Sequence, residues 1–238
     1  MSVEHTFTKE NLDTYLKELG KEFRKVNGTA MSAEVVLVGG AAILANYNFR
    51  EMTRDIDAAI YASSAMRDAI NYVGEKYDLP RGWLNTDFLR TTSHTNRLPQ
   101  YSKHYKTFSN VLHIRTIHAE YLIAMKLVSG REYKYDLSDI VGILSEHEKA
   151  GEIITFEDIN RAMLEMYDGW DMVSEEARDF LDHTLKQPNL EAFFSQIRAE
   201  ETRSNKIIRD IVDEHHPKWL KDESANAILK LLKDKELE

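Results

Sequence analysis

Two acidic residues and two glycines stand close together in the first quarter of the chain: the triplet Asp55-Ile56-Asp57 and the pair Gly39-Gly40. Successive side chains of a β-strand point to opposite faces, so Asp55 and Asp57 are predicted to share one face while Ile56 enters the core. Two carboxylates this close repel each other, and a hard divalent cation with oxygen ligands relieves that repulsion. The triplet therefore predicts a site for Mg²⁺ (or Mn²⁺). The alternative is a solvent-facing pair of aspartates at a strand end.

The glycine pair lies between a predicted strand, residues 34–38, and a run of strong helix formers, residues 41–45. Glycine lets backbone N–H groups approach an anion closely, and the N-terminus of a helix adds a favourable dipole. Gly39 and Gly40 are thus candidates for binding phosphate. A tight turn with no ligand is the alternative interpretation.

The order of these features resembles the nucleotidyltransferase superfamily, whose hallmark is a hydrophobic-Gly-Gly/Ser turn, a short helix and then Asp-hydrophobic-Asp. The matching segment is VLVGGAAILANYNFREMTRDIDAAI, and its Thr53-Arg54 also fits the superfamily pattern. The resemblance implies that Asp55 and Asp57 are catalytic and bind the metal. It also implies that Gly39, Gly40 and Arg54 bind the nucleotide.

A later segment, KLVSGREYKYDLSDIVGIL, is similar to a motif of the AbiEii/MenT-like branch of bacterial nucleotidyltransferase-like proteins. By that resemblance Lys126 is catalytic and nucleotide-binding, Arg131 binds nucleotide, and Asp136 or Asp139 is catalytic. Each residue also has a structural interpretation: Lys126 as a helix-surface lysine, the aspartates as helix N-caps, and Arg131 as their ion-pair partner. Trp83-Leu84-Asn85 is similar to a short motif of uncharacterised relatives, and the whole resemblance covers about residues 34 to 144.

The segment between Asp87 and Glu120 contains neither Asp nor Glu, although many active nucleotidyltransferases carry a third carboxylate on a later strand. Our candidate for that strand, residues 111–117, offers His113 and Arg115 on one face. We predict that these two residues bind nucleotide phosphate, with His113 alternatively acting as a base. The same window holds basic and aromatic residues that predict an electropositive wall for a triphosphate or an RNA backbone: Arg90, Arg97, Lys103, Lys106, Tyr101, Tyr105 and Phe108. A mobile surface loop is the alternative.

Composition excludes several classes of protein. The chain of 238 residues has no cysteine, which rules out disulfides, a thiol nucleophile and Cys-ligated metal centres. Its formal net charge of −9 argues against non-specific coating of nucleic acid. The N-terminus resembles an amphipathic helix rather than a signal peptide, and no apolar run is long enough to span a bilayer. We therefore expect a soluble, cytoplasmic protein with no membrane partner.

Hydrophobic periodicity predicts helices over residues 9–26 and 64–77, and strands over residues 34–38, 53–61 and 111–117. From residue 119 onward the pattern is helical, interrupted mainly at Gly151, Thr155 and residues 187–189. The predicted fold class is α+β: a nucleotidyltransferase fold with a small mixed β-sheet and helices, followed by a helical C-terminal half. We place the α/β core in residues 1–118 and the helical region, with its C-terminal appendage, in residues 119–238.

Together these features predict a Mg²⁺-dependent nucleotidyltransferase that moves a nucleoside monophosphate from an NTP, such as ATP, to a hydroxyl of RNA (tRNA) or protein. The family resemblance further suggests the toxin of a toxin–antitoxin pair, with a cognate antitoxin as partner. The alternative is a catalytically degenerate module of the same fold that binds nucleotide or a protein partner. The absent third carboxylate supports that alternative.

Overall fold

A computed structural model describes residues 5–131, 134–215 and 227–230 of the chain. The chain divides into two compact units, Met1–Leu122 and Ile123–Glu238, and each is described by itself. The first unit combines a sheet with helices, whereas the described residues of the second unit form helices joined by short connections and contain no strand. This architecture confirms the predicted α+β fold class with a helical C-terminal half.

The first unit begins with helix α1, Lys9–Asn27, which confirms the helix predicted over residues 9–26. Thr8 starts it with a capping box, since its hydroxyl accepts from the Asn11 backbone N–H and the Asn11 side chain accepts from the Thr8 backbone N–H. One face of the helix is buried, and Leu12, Leu16 and Phe23 are its most enclosed side chains. Helical spacing of apolar residues was therefore sufficient to place this element.

The sheet of the first unit has five strands in the order β3-β2-β1-β5-β4. In chain order they are β1 Ala33–Leu37, β2 Ile56–Tyr61, β3 Leu84–Asn85, β4 Ser102–Phe108 and β5 Leu112–Ile117. Strand β1 is central, antiparallel to β2 and parallel to β5. The outer pairs are β2 with β3, parallel, and β5 with β4, antiparallel. The sheet is therefore mixed, as predicted.

Strands β3 and β4 were not predicted from the sequence. β3 has only two residues, and β4 reads SKHYKTF, which lacks a regular alternation of apolar and polar side chains. β4 lies at the edge of the sheet and carries exposed lysines, a common protection of sheet edges. Because residues 102–117 form a strand pair, the alternative of a mobile surface loop is wrong for this part of the basic window.

The remaining helices of the first unit are α2, Gly39–Asn46, and α3, Ala65–Lys76. Helix α2 follows β1 directly, which confirms the predicted turn from strand to helix at the two glycines. Strand β2 begins at Ile56, three residues later than predicted. The reason is that Thr53 pairs with Phe7 in an isolated bridge, with N–H···O distances of 2.7 and 2.9 Å, before the chain enters the sheet.

The helical half begins with α4, Ala119–Ser129, and continues with α5 Asp136–Ala150, α6 Phe156–Tyr167, α7 Glu175–Leu185 and α8 Leu190–His215. All three predicted interruptions are confirmed. Gly151 ends α5 with φ 76°, Thr155 opens α6 with a capping box, and residues 187–189 connect α7 to α8. Residues 132–133, 216–226 and 231–238 of the predicted helical region lie outside the described residues. Within the described part of the chain, no helix is long and apolar enough to cross a membrane.

Candidate functional site

The glycine turn and the acidic triplet meet at one end of the central strands. The Val38 backbone N–H donates to the Asp57 carbonyl at 3.0 Å, so the turn after β1 lies beside the start of β2. Gly39 has φ 54°, a conformation that favours glycine, and a Cβ at that position would lie 3.8 Å from Asp57 Oδ2. The Asp57 carboxylate therefore lies against the first residue of α2, where the helix dipole favours negative charge.

The second glycine is required by a different contact. A Cβ at Gly40 would lie 2.6 Å from Thr53 Oγ1 and 2.8 Å from Arg50 Nη2. Real Cβ atoms do not approach other atoms this closely, so a side chain at Gly40 would displace the hydroxyl or the guanidinium. Arg50 and Thr53 thus join the predicted residues at this turn. No sequence motif had indicated Arg50.

Asp55 and Arg54 lie just before β2 and are exposed, whereas Asp57 is half-buried within the strand. Ile56, between the two aspartates, is fully buried, as the alternation predicted. Asn85 on β3 pairs with Asp57 across the sheet, so the Trp83-Leu84-Asn85 motif places an amide beside the acidic triplet. This short motif was the only signal in the sequence that pointed to Asn85.

The chemistry of these donors fits a Mg²⁺ ion that the substrate helps to hold. Asp55 and Asp57 offer carboxylate oxygens, which Mg²⁺ prefers. Among the described residues there is no group of three or more His, Asp or Glu side chains that could hold a metal by itself. Mg²⁺ is commonly bound by one or two carboxylates together with substrate phosphates and water. The donor set therefore matches a metal held partly by substrate phosphates and does not match a dedicated metal cage.

His113 and Arg115 lie at a distance from the acidic triplet within the first unit. His113 is opposite Glu34 on β1, four residues before Val38, so it is about 13 Å along the strand direction from the Asp57 end. Arg115 lies two residues nearer. It donates through Nε to Ser102 Oγ at 2.7 Å, and the same Nε lies 3.7 Å from Glu34 Oε2. Nucleotide binding by these two residues stays a prediction.

Part of the predicted electropositive wall is engaged in contacts within the first unit. Lys106 on β4 pairs with Asp13 of α1, and the Tyr105 hydroxyl donates to the same carboxylate at 3.0 Å. His104 Nε2 lies 2.9 Å from the Thr107 hydroxyl, which lies 3.1 Å from His113 Nδ1. These contacts hold β4 to α1 and β5.

In the second unit, three of the predicted residues form a buried charge cluster. Lys126 Nζ lies 2.6 Å from Asp136 Oδ1 and 2.9 Å from Asp139 Oδ2, and both carboxylates are fully buried. Lys126 is 4% exposed, so the alternative of a helix-surface lysine is wrong. Asp136 and Asp139 lie in the first turn of α5 after Tyr135, so neither is its N-cap.

Arg131 completes the pairing of Asp136. Its Nε lies 2.9 Å from Asp136 Oδ2, and its backbone N–H donates to the same oxygen at 3.3 Å, which confirms the ion-pair interpretation. Burial disfavours the charged form of Asp136, but the charges of Lys126 and Arg131 outweigh it and hold the pKa of this carboxyl below its ordinary value. Asp136 is therefore ionised at neutral pH.

Two residues of α8 extend the cluster, and sequence analysis missed both. Arg198 Nη2 donates to Asp139 Oδ1 at 3.1 Å and its guanidinium lies over the Tyr135 ring at 4.5 Å. Glu201 accepts from the backbone N–H groups of Leu137, at 2.9 Å, and Ser138, at 3.2 Å. It thus caps the N-terminus of α5 from another helix. Burial raises the pKa of Glu201 to about 8, despite these bonds.

The two groups of predicted residues therefore have different surroundings. Gly39, Gly40 and Asp57 are in contact at one end of the sheet of the first unit, with Arg54 and Asp55 exposed beside them. Lys126, Arg131, Asp136 and Asp139 are joined by ion pairs in the second unit. His113 and Arg115 belong to neither group.

Comparisons with known proteins confirm the resemblance to nucleotidyltransferases at the level of the family. A family model described as a nucleotidyltransferase of unknown function (DUF6036) matches residues 14–179 and so ends within α7. The match includes the glycine turn, the acidic triplet and the part of the Lys126 cluster that lies on α4 and α5, but not the residues of α8. No curated protein and no solved structure matches the chain. The match does not single out the AbiEii/MenT-like branch, which stays a prediction. The chain belongs to this family of nucleotidyltransferases of unknown function.

Proposed function

We propose that the chain transfers a nucleoside monophosphate from an NTP to a hydroxyl group of RNA or protein, with Mg²⁺ as cofactor. The observation that carries this proposal is the contact between Asp57 and the glycine turn, where Asp57 Oδ2 lies 3.8 Å from the Cβ position of Gly39. This contact brings a carboxylate next to backbone donors at the start of a helix. A metal–triphosphate complex needs both kinds of group.

In the proposed reaction the acceptor oxygen forms a bond to the α-phosphorus, and the bond from that phosphorus to the pyrophosphate oxygen breaks. The hydroxyl proton is released to solvent. Asp55 and Asp57 would hold Mg²⁺, and the bound ion would neutralise charge on the phosphates. The backbone N–H groups of Gly39 and Gly40 orient the triphosphate, and Arg54, exposed beside Asp55, adds positive charge.

Lys126, Arg131, Asp136 and Asp139 enter the proposal through the family resemblance. The low pKa of Asp136 makes it a weak base, and its two cationic partners use both of its oxygens. We therefore propose that the two buried aspartates orient Lys126 and Arg131, and that these cations supply positive charge to the reaction. His113 as a base and Arg115 as a phosphate ligand stay the least supported assignments.

The finer parts of the proposal rest on the same resemblance. They are membership of the AbiEii/MenT-like branch, tRNA as the acceptor, action in the cytoplasm and regulation as a toxin by a cognate antitoxin. The net charge of −9 makes a broad non-specific RNA surface unfavourable. An RNA acceptor would therefore be recognised through a local basic site.

The test is incubation with each of the four α-³²P-labelled NTPs, Mg²⁺ or Mn²⁺, and bulk tRNA, beside the variant Asp57→Ala. We expect label to move to RNA or to protein with the unmutated chain alone. The labelled nucleotide and the labelled acceptor would then identify the substrates. Equal labelling by Asp57→Ala would refute the assignment of this aspartate.

A second function is favoured by a specific observation: β5, Leu112–Ile117, carries no acidic residue, and the described residues contain no three-carboxylate cluster. Under this alternative the fold binds nucleotide or a protein partner without catalysis. A titration with Mg²⁺ and each NTP separates the two functions. Binding without transfer, across RNA and protein acceptors, supports the degenerate module.

A further inference from the structure

Arg50 lies in the connection between α2 and β2, and its guanidinium packs against the glycine turn. Nη2 and Cζ would be 2.8 and 3.0 Å from a Cβ at Gly40. Because the Cβ of a helical residue tilts toward the helix N-terminus, these atoms lie beside the first turn of α2. The two glycines therefore have different neighbours: Gly39 lies against the Asp57 carboxylate, and Gly40 lies against the Arg50 guanidinium.

The loop between α2 and β2 is ordered by its own contacts, and one of them is made by Arg50. Arg50 Nε donates to the Met52 carbonyl at 3.2 Å. Tyr47 ends α2 with a hydrogen bond to the Ile43 carbonyl at 2.8 Å, and its ring lies 5.5 Å from the Phe49 ring. A guanidinium fixed by its own loop loses little conformational freedom when it binds a ligand.

The electrostatics of this position favour an anionic ligand. The N-terminus of a helix carries partial positive charge, so a cation beside it is unfavourable on its own. The first turn of α2 contains no acidic residue, and its N-cap, Val38, provides no side-chain hydrogen bond. Asp57 provides one negative charge near Gly39. A polyphosphate carries several negative charges, and the guanidinium and the helix N-terminus attract them from the same side of the turn.

We infer that Arg50 is a binding residue for the β- and γ-phosphates of the NTP, the part that leaves as pyrophosphate. This inference rests on the proposed function and adds a residue that neither the sequence motifs nor the family match assigned. An arginine fork binds two phosphate oxygens at once, so it suits the growing charge on the leaving pyrophosphate. The absence of a side chain at Gly40 leaves room for the Arg50 guanidinium and the Thr53 hydroxyl.

The test uses inorganic tripolyphosphate with Mg²⁺, a probe that does not depend on the base, and isothermal titration calorimetry of the full chain. Arg50→Gln is compared with Arg67→Gln, an exposed arginine of α3, and with the unmutated chain. We expect Arg50→Gln to weaken tripolyphosphate binding by about ten- to hundredfold, the usual effect of losing a hydrogen bond to a charged group. Arg67→Gln should bind like the unmutated chain.

A second pair of measurements separates binding from folding. If the role of Arg50 were purely structural, its replacement would lower the thermal midpoint and weaken the binding of nucleoside monophosphates and tripolyphosphate alike. If Arg50 has the inferred role, its replacement weakens the binding of the polyphosphate alone. Arg50→Lys keeps the charge without the fork, so it should lose less affinity for tripolyphosphate than Arg50→Gln. If the Gln variant does not fold, the Lys variant is compared with the unmutated chain in its place.

The outcomes distinguish this inference from the proposed function. If the unmutated chain binds neither tripolyphosphate nor any NTP, both fail. If it binds and Arg50→Gln binds with the same affinity, Arg50 is not a phosphate ligand and the proposed transferase function still stands. Selective loss of polyphosphate binding in Arg50→Gln supports the inference.

Discussion

The two pairs of predicted aspartates, one in each unit, have opposite surroundings. In the first unit Asp55 is exposed and Asp57 half-buried, next to the backbone of the glycine turn. In the second unit Asp136 and Asp139 are fully buried, and lysine or arginine side chains lie within 3.1 Å of their oxygens. The first pair is accessible to solvent in whole or in part, whereas the second pair is enclosed and holds other side chains.

This difference changes what each cluster contributes. A carboxylate at the surface costs little to keep charged and can exchange water for a metal or phosphate complex. A buried carboxylate stays charged only when cations compensate its desolvation, so its partners become part of the fold. We therefore propose that aspartate serves as a ligand in the first unit, whereas in the second unit it is a structural anchor. Four variants test that contrast.

The largest effect on activity is expected for Asp57→Asn, with Asp68→Asn on α3 as an exposed control. Loss of the proposed metal-binding carboxylate should lower transfer by about a hundred- to a thousandfold, since one well-placed electrostatic group contributes that much to catalysis. The thermal midpoint should stay close to that of the unmutated chain, because Asp57 is only half-buried. Full activity in Asp57→Asn, measured with the labelled NTP that the acceptor assay identifies, would contradict the contrast.

The largest effect on stability is expected for Lys126→Met. The variant leaves two fully buried carboxylates without their shared cation, which costs about 3–5 kcal/mol of unfolding free energy. Lys149→Met is the control: its pair with Glu191, at 3.2 Å, has both side chains exposed, so the loss should stay below about 1 kcal/mol. Urea denaturation measures both. Equal losses would mean that burial does not distinguish the two ion pairs.

Glu201→Gln should change how stability depends on pH. The folded pKa of Glu201, about 8, lies above its ordinary value of 4.5, so the folded state holds this proton more tightly than the unfolded state. The contribution to stability is therefore full below about pH 4.5 and is lost as pH rises toward 8. We expect a decline of a few kcal/mol across this window in the unmutated chain, and a flatter profile in Glu201→Gln. Identical slopes for the two proteins would show that Glu201 does not titrate there.

The smallest effect is expected for Gly40→Ala, with Gly74→Ala in α3 as control. Alanine favours a helix over glycine by about 0.5–1 kcal/mol, but crowding of Thr53 and Arg50 costs about 1–3 kcal/mol. The net loss should be about 1 kcal/mol, whereas Gly74→Ala, whose Cβ would lie 3.4 Å from Trp83, should be neutral or stabilised by up to about 1 kcal/mol. Thermal unfolding measures both variants. A stabilised Gly40→Ala would show that Arg50 and Thr53 can move aside easily.

Local pattern was enough to predict the elements around the glycine turn. The apolar run before Gly39, the alternation around Ile56 and the helical spacing in α1 each depend on neighbours in the sequence. Strands β3 and β4 were beyond such reasoning, because a two-residue strand and a polar edge strand form by pairing with strands already in place. The start of β2 was wrong by three residues because Thr53 pairs with a distant residue, Phe7.

The amino-acid sequence by itself determined the chemistry that is available: the glycine turn before a helix, the two aspartates two residues apart, and the lysine, arginine and aspartates of the later motif. Only the tertiary structure decided how each group is used. It brought Arg50 against Gly40, and it placed Glu201 and Arg198 of α8 on the first turn of α5. Burial and pairing depend on contacts between residues far apart in the chain, and such contacts cannot be predicted from a local sequence pattern.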